Sequence, residues 1–310
     1  MATQIRPASE TVNPLDLSRA ELWRNAVWQE PMRQLRAESP IYYCEDSKFG
    51  PYWSVTTYKP IQHIEALPKI FSSSWEYGGI TVAGDGIDHL QEGDVPMPMF
   101  IAMDPPQHTA QRRTVAPAFG PTEVERMREE TIARTAAVLD SLPLNTPFDW
   151  VEKVSIELTT QMLAILFDFP WEDRRKLTFW SDVGGDIAST FEPEANAIRN
   201  GHLADMTHYF DKLFAARKAQ PPSGDLISMM AHSDAMGNMD FAERTGNLIL
   251  LIVGGNDTTR NSMSGFVEAT NLYPGELERL RADRSLIANA AQEIIRWQSP
   301  VTHMRRTALC

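Results

Sequence analysis

Three clusters of residues in this chain have the types and spacing to do chemistry. The first is Leu248-Ile249-Leu250-Leu251-Ile252-Val253-Gly254-Gly255-Asn256-Asp257-Thr258-Thr259-Arg260-Asn261, where six apolar residues lead into a glycine pair, an acid and two threonines. Apolar residues on every side mark a helix enclosed by protein, because a surface helix shows one apolar stripe. Two mid-helix glycines cost about 1 kcal/mol each relative to alanine, so something flat or bulky is expected to approach the backbone at Gly254 and Gly255. Thr258, one turn beyond Gly254, can return its hydroxyl to the Gly254 carbonyl, a bond that competes with the regular ladder and points to a locally widened turn. The alternative is a kinked helix in which Asp257 pairs with a nearby arginine such as Arg260.

The second cluster is His108-Thr109-Ala110-Gln111-Arg112, whose ends lie one helical turn apart and so offer two donors or cations on one face, or a plain surface helix. The third is Glu293-Ile294-Ile295-Arg296. Helical ion pairs at that spacing are ordinary, but Ile294, Ile295 and Trp297 around it suggest a buried pair, where an unpaired charge would be costly. Other chemistries are excluded by what is missing: no glutamate has a histidine three residues on, and there is no His-Glu-x-x-His, no Asp-Asp pair and no glycine-rich phosphate loop.

The elements that must carry these clusters are nearly all helical. Prolines and glycines divide the chain beyond Pro105-Pro106 into helices over 107–118, 121–142, 152–168, 171–184, 194–219, 224–233, 241–273, 274–283 and 285–297. Before them come an irregular arm, a short helix through Glu21-Leu22-Trp23-Arg24 within limits set by prolines 7, 14, 31 and 40, and an antiparallel strand pair, Ile41–Cys44 and residues 52–57. Residues 72–107 form the longest irregular stretch; Ile80, Val82, Met97, Met99, Phe100 and Ile101 argue for a lid or binding loop instead of exposed coil.

The totals agree with one domain over 310 residues. Against 29 basic residues stand 41 acidic ones, a net charge of -12, which disfavours nucleic acid and anionic membrane as partners. Cys44 and Cys310 are the only cysteines, so there is no disulfide framework, as in a reducing, cytoplasmic setting. The N-terminal residues do not form a signal peptide, and no segment is apolar over the roughly 20 residues a membrane span needs.

Taken together and in this order, the three clusters resemble the cytochrome P450 family of haem-thiolate monooxygenases. Met103-Asp104-Pro105-Pro106-Gln107-His108, Gly254 to Met263 and Glu293-Ile294-Ile295-Arg296-Trp297-Gln298 are similar to the bacterial subfamily that hydroxylates the terminal carbon of medium-chain alkanes and fatty acids. The resemblance implies a mainly α fold with a small antiparallel β-sheet near the N-terminus, and haem b as cofactor. It makes Asp257 and Thr258 the acid-alcohol pair that supplies protons to iron-bound dioxygen, and Gly254 and Gly255 the thin part of the helix over the distal haem face. His108, Arg112 and Arg306 become donors to the haem propionates, for which charge-assisted bonds suit, and Glu293 with Arg296 a structural pair. It further implies an aliphatic substrate and electrons from a ferredoxin and its reductase; the basic residues Arg112, Arg113, Arg126 and Arg128 offer a docking patch for it, or else pair with Glu123, Glu125, Glu129 and Glu130. The family's Phe-x-x-Gly-x-(His/Arg)-x-Cys-x-Gly loop does not occur. The chain is therefore read as the N-terminal three-quarters of such an enzyme, lacking the thiolate ligand and inactive by itself. A helical haem- or lipid-binding module without turnover is the competing class; it gives no reason for an acid and two threonines inside a buried helix.

Overall fold

The computed structural model describes residues 13–82 and 97–309, which fall into two units. The Gly84-Asp85-Gly86 part of the long loop, Pro96 and Cys310 lie outside the described residues. The first unit, drawn from Met1–Asp94, Ala102–Asp104 and His303–Cys310, contains helices α1 (Ala20–Arg24), α2 (Gln29–Glu38) and α3 (Tyr58–Glu65). Its strands are β1 (Ile41–Cys44), β2 (Tyr52–Val55), β3 (Phe71–Ser72) and β4 (Thr307–Ala308). β1 and β2 pair antiparallel with Ile41 opposite Val55 and Tyr43 opposite Trp53, as their aromatic and β-branched composition leads one to expect. β3 pairs antiparallel with β4 across most of the sequence, Ser72 opposite Thr307. Two residues on each side are too short to leave a pattern in sequence, and this pair was not anticipated. Nor were α2 and α3, whose Pro31 and Pro60 look like breakers but stand in the first turn, where a missing N–H costs nothing.

The second unit, Val95–Ile101 with Pro105–Thr302, is helical throughout: α4 (Gln107–Val115), α5 (Pro121–Arg126), α6 (Arg128–Asp140), α7 (Glu157–Phe167), α8 (Arg175–Gly185), α9 (Pro193–Lys218), α10 (Leu226–Ala231), α11 (Phe241–Leu272), α12 (Pro274–Ala282) and α13 (Ile287–Gln298). Proline opens α5, α9 and α12, and Asp225 and Asp240 cap α10 and α11 by accepting the N–H of Ser228 and Glu243. The expected helix over 121–142 divides at Met127, which is buried. α11 runs unbroken for 32 residues, about 48 Å at 1.5 Å per residue.

Side chains that are fully buried, among them Phe167, Phe210, Leu163, Leu177, Leu203, Met206, Ile227 and Leu248, form the core of this unit. Each contributes roughly 1.5–3 kcal/mol on leaving water. Phe169, Trp180, Tyr209 and Phe210 stack or meet edge to face within 6.4 Å. α8 crosses α11 at a glycine: a Cβ on Gly184 would lie 3.0 Å from Ile249 and 3.2 Å from Val253. The carbonyls of Val183 and Gly184 near the end of α8 accept from the buried Arg199 guanidinium of α9 at 3.1 Å each, which ties α8 to α9. No helix among the described residues is long and apolar enough to cross a membrane.

Candidate functional site

The sequence singled out the middle of α11, and the structure shows what each residue there meets. Leu248, Ile252 and Asn256 are buried, whereas Gly254 is exposed. A Cβ built on Gly254 meets no atom within 4 Å, while one on Gly255 would stand 2.7 Å from Leu163 Cδ2 of α7. Successive residues are about 100° apart on a helix, so the two glycines face different ways and solve different problems. Gly255 lets α7 and α11 approach; Gly254 leaves a bare patch of backbone. Only Gly254 has the open surroundings expected of a thin helix face.

Thr258 Oγ1 donates to Gly254 O at 2.9 Å, as expected. The widened turn is not in α11. It lies in the segment packed beside it, a π turn over Val151–Ile156 that leads into α7. There the extra residue per turn re-aims hydroxyls toward α11: Ser155 Oγ lies 3.0 Å from Ser264 Oγ, and Thr159 Oγ1 donates to Asn256 Oδ1 at 2.7 Å.

Asp257 points at α8. Its Oδ1 accepts from Arg260 Nη2 at 2.7 Å and from Ser181 Oγ at 3.3 Å, with Asn256 Nδ2 at 3.5 Å, and its Oδ2 lies where a Cβ on Gly185 would touch it. Arg260 also reaches the exposed Asp182 at 3.0 Å, so it bridges two carboxylates. Burial pushes the Asp257 carboxyl above the ordinary carboxylate range; Arg260 opposes that rise, and the charge of Asp182 adds to it. The pairing of Asp257 with Arg260 that the sequence offered as an alternative is therefore formed. A half-buried carboxyl with a raised pKa, hydrogen-bonded to a serine hydroxyl, is equipped to hold and hand on a proton. Thr159, Asn256, Ser181 and Asp182 complete this network and were not anticipated, because a polar residue's partner on another helix leaves no mark in its own neighbourhood.

On α4, His108 is half-buried, its ring centroid 6.5 Å from that of Phe100, and Arg112 is exposed one turn on. Between them the buried Gln111 bonds to Glu243 and Asn247 of α11 and fixes α4 against it. Arg306 belongs to the other unit, where its guanidinium pairs with Glu65 Oε2 at 2.7 Å and returns to Arg305 O. The Glu293–Arg296 pair forms, in a two-pronged geometry, but it is not buried: 57% and 69% of the two side chains are exposed. The apolar neighbours misled, since Ile295 is itself half exposed and no residue of α13 is buried. Cys44 is buried, accepts from Asn13 Nδ2, and has its thiol pushed up to about 11 by burial and by the Asp16 charge. An iron-ligating thiolate needs the opposite.

Comparison with known proteins gives this geometry its family. No family model matches the chain. It is 30% identical over 300 residues to the linalool 8-monooxygenase of Pseudomonas putida, covering 95% of this chain and 73% of that protein. Its fold matches cytochrome P450-153 from Novosphingobium aromaticivorans at 53% identity with a TM-score of 0.88, over 95% of this chain and 73% of that one. It also matches CYP153D17 from Sphingomonas sp. PAMC 26605, at 57% identity and a TM-score of 0.87, over 96% and 73%. The chain belongs to the cytochrome P450 family of monooxygenases, whose cofactor is haem b. It spans about three-quarters of the length of these relatives. The second unit suits one face of a flat macrocycle: Gly254 leaves backbone uncovered, and Arg112 has a guanidinium without a partner among the described residues. Cys44 does not suit the axial position, and no group of three or more His, Cys, Asp or Glu among the described residues could hold a metal ion.

Proposed function

We propose that this chain is part of a haem-dependent monooxygenase that hydroxylates the terminal carbon of medium-chain alkanes or fatty acids with dioxygen and electrons from a ferredoxin. The observation that carries the reading is the open face at Gly254, with the raised carboxyl of Asp257 and the Thr258 hydroxyl on the residues just beyond it. Haem, when bound, supplies the activation of dioxygen. Asp257 holds a proton, Thr258 orients a hydroxyl toward the reacting face, and the apolar residues Leu250, Leu251 and Val253 exclude bulk water from it. His108 and Arg112 would hold the haem carboxylates from α4.

Support for an aliphatic substrate comes from Met97, Met99, Phe100 and Ile101, an apolar segment with few polar anchors. The likeness to a protein named for oxygenating carbon 8 of linalool, an acyclic molecule, supports the same reading. For an electron donor, Arg126 and Arg128 are taken up by Glu123 and Glu125, so Arg113, exposed beside Arg112, is left as the basic contact for an acidic ferredoxin. The test is a series of difference spectra of the haem-loaded protein with alkanes and fatty acids of increasing length. A spin-state shift that peaks at medium chain length is expected; shifts with ring-shaped terpenoids or steroids and none with straight chains would overturn the reading.

A further inference from the structure

Asn247 is fully buried and uses its whole amide. Its Oδ1 accepts the Phe100 backbone N–H at 2.9 Å, and its Nδ2 donates to Gln111 Oε1 at 3.0 Å and lies 3.2 Å from Met239 Sδ. Gln111, buried in turn, donates from Nε2 to Glu243 Oε1, one turn earlier on α11. Beside it, Gly246 allows a contact that no side chain would permit: a Cβ there would stand 2.3 Å from Pro98 O and 2.7 Å from Met97 O. The backbone of residues 97–100 therefore lies directly on α11 and is tied down by one side chain.

Position along the helix gives this tie its meaning. Asn247 and Gly254 are seven residues apart, so they share a face of α11 and are separated by roughly 10 Å. The half-buried Leu250 and Leu251 fill the interval. One face of α11 thus runs from a covered end, beneath Met97–Phe100, to an uncovered end at Gly254.

We propose that Asn247 is a specificity-determining positioning residue, which fastens the 97–101 segment to α11 as a fixed wall and so limits the length and branching of the chain that reaches the Gly254 face. The segment is apolar but not free to swing, because releasing it would take the Phe100 N–H away from Asn247 Oδ1 and leave that buried oxygen unpaired in the interior, and unpaired buried groups are costly. The specificity role rests on the aliphatic-substrate reading above; the fastening does not.

Amide hydrogen exchange on the whole chain tests the fastening, and substrate profiles of the haem-loaded enzyme of which this chain is part test the role. In the wild type the Phe100 amide is expected to be protected. In Asn247→Leu, which keeps the branched shape and removes both hydrogen bonds, it should exchange about tenfold faster while the Leu248–Ile252 amides keep their rates. Gly246→Ala should free the same amide by a different route, pushing Pro98 off the helix. With substrates, Asn247→Leu should lower KM for longer and branched chains relative to the wild type and leave kcat on the preferred chain nearly unchanged. A Phe100 amide that exchanges freely in the wild type overturns the proposal, as does an Asn247→Leu protein with unaltered exchange and chain-length profile. A protected Phe100 in a haem-loaded protein indifferent to every alkane and fatty acid overturns the substrate reading, and the specificity role with it, while the fastening stands.

Discussion

Asp257 is a residue that the fold keeps at a cost. Burial holds its carboxyl above the ordinary range in spite of Arg260, so the folded chain binds that proton more tightly than the unfolded chain does. Below about pH 4 both states are protonated and the residue contributes nothing to the pH dependence. As pH rises through the raised value, ionisation in the folded state becomes a penalty on stability. Asn cannot ionise, so the stability of Asp257→Asn relative to wild type should increase between about pH 4 and pH 7, read from urea unfolding at the two pH values. A relative stability that falls over the same interval would mean that Arg260 outweighs burial. A group kept where it costs stability is what a proton donor at a functional site looks like.

At the scale of elements, α11 is a helix whose two adjacent glycines have opposite energetics. Gly254→Ala adds a methyl that meets nothing within 4 Å, so it should raise the stability of the chain by about 0.5–1 kcal/mol while weakening haem binding on that face. Gly255→Ala drives a methyl against Leu163, which is buried and cannot swing clear, and should cost about 1–3 kcal/mol. Denaturation midpoints of the two variants should move in opposite directions, and a common direction would refute the division of roles. The helical frame was legible beforehand: proline and glycine punctuation fixed where α7, α9 and α11 to α13 begin and end to within a few residues, because those residues act locally through the backbone. The site was legible only in its own stretch. Asp257 and Thr258 stand out as an acid and an alcohol in a buried helix, but Ser181 reaches Asp257, Asp182 reaches Arg260 and Thr159 reaches Asn256 from other helices, and pairing of that kind has no local signature. Glu293 and Arg296 show the converse failure, since flanking isoleucines cannot say whether anything covers them.

For the whole molecule, the distribution of charge matters more than its total. The surface ion pairs on α12 and α13 are helical i,i+3 pairs with exposed side chains, a kind that contributes little and is screened by salt. Arg296→Gln is therefore expected to leave the unfolding midpoint of this chain unchanged at moderate salt, and a clear loss would show that the pair is held more tightly than its exposure indicates. The proposed function places its weight on α11, through Asn256, Asp257 and Arg260 with their partners Thr159 and Asp182, and through Thr258 turned back on Gly254. The coupling of NADH consumption to hydroxylated product in a haem-loaded Thr258→Ala enzyme puts this assignment to the most direct test. With the hydroxyl gone, dioxygen should still be consumed, but a large share of the electrons should appear as hydrogen peroxide instead of product; coupling equal to that of the wild type would contradict the role of α11 as the proton-delivering wall.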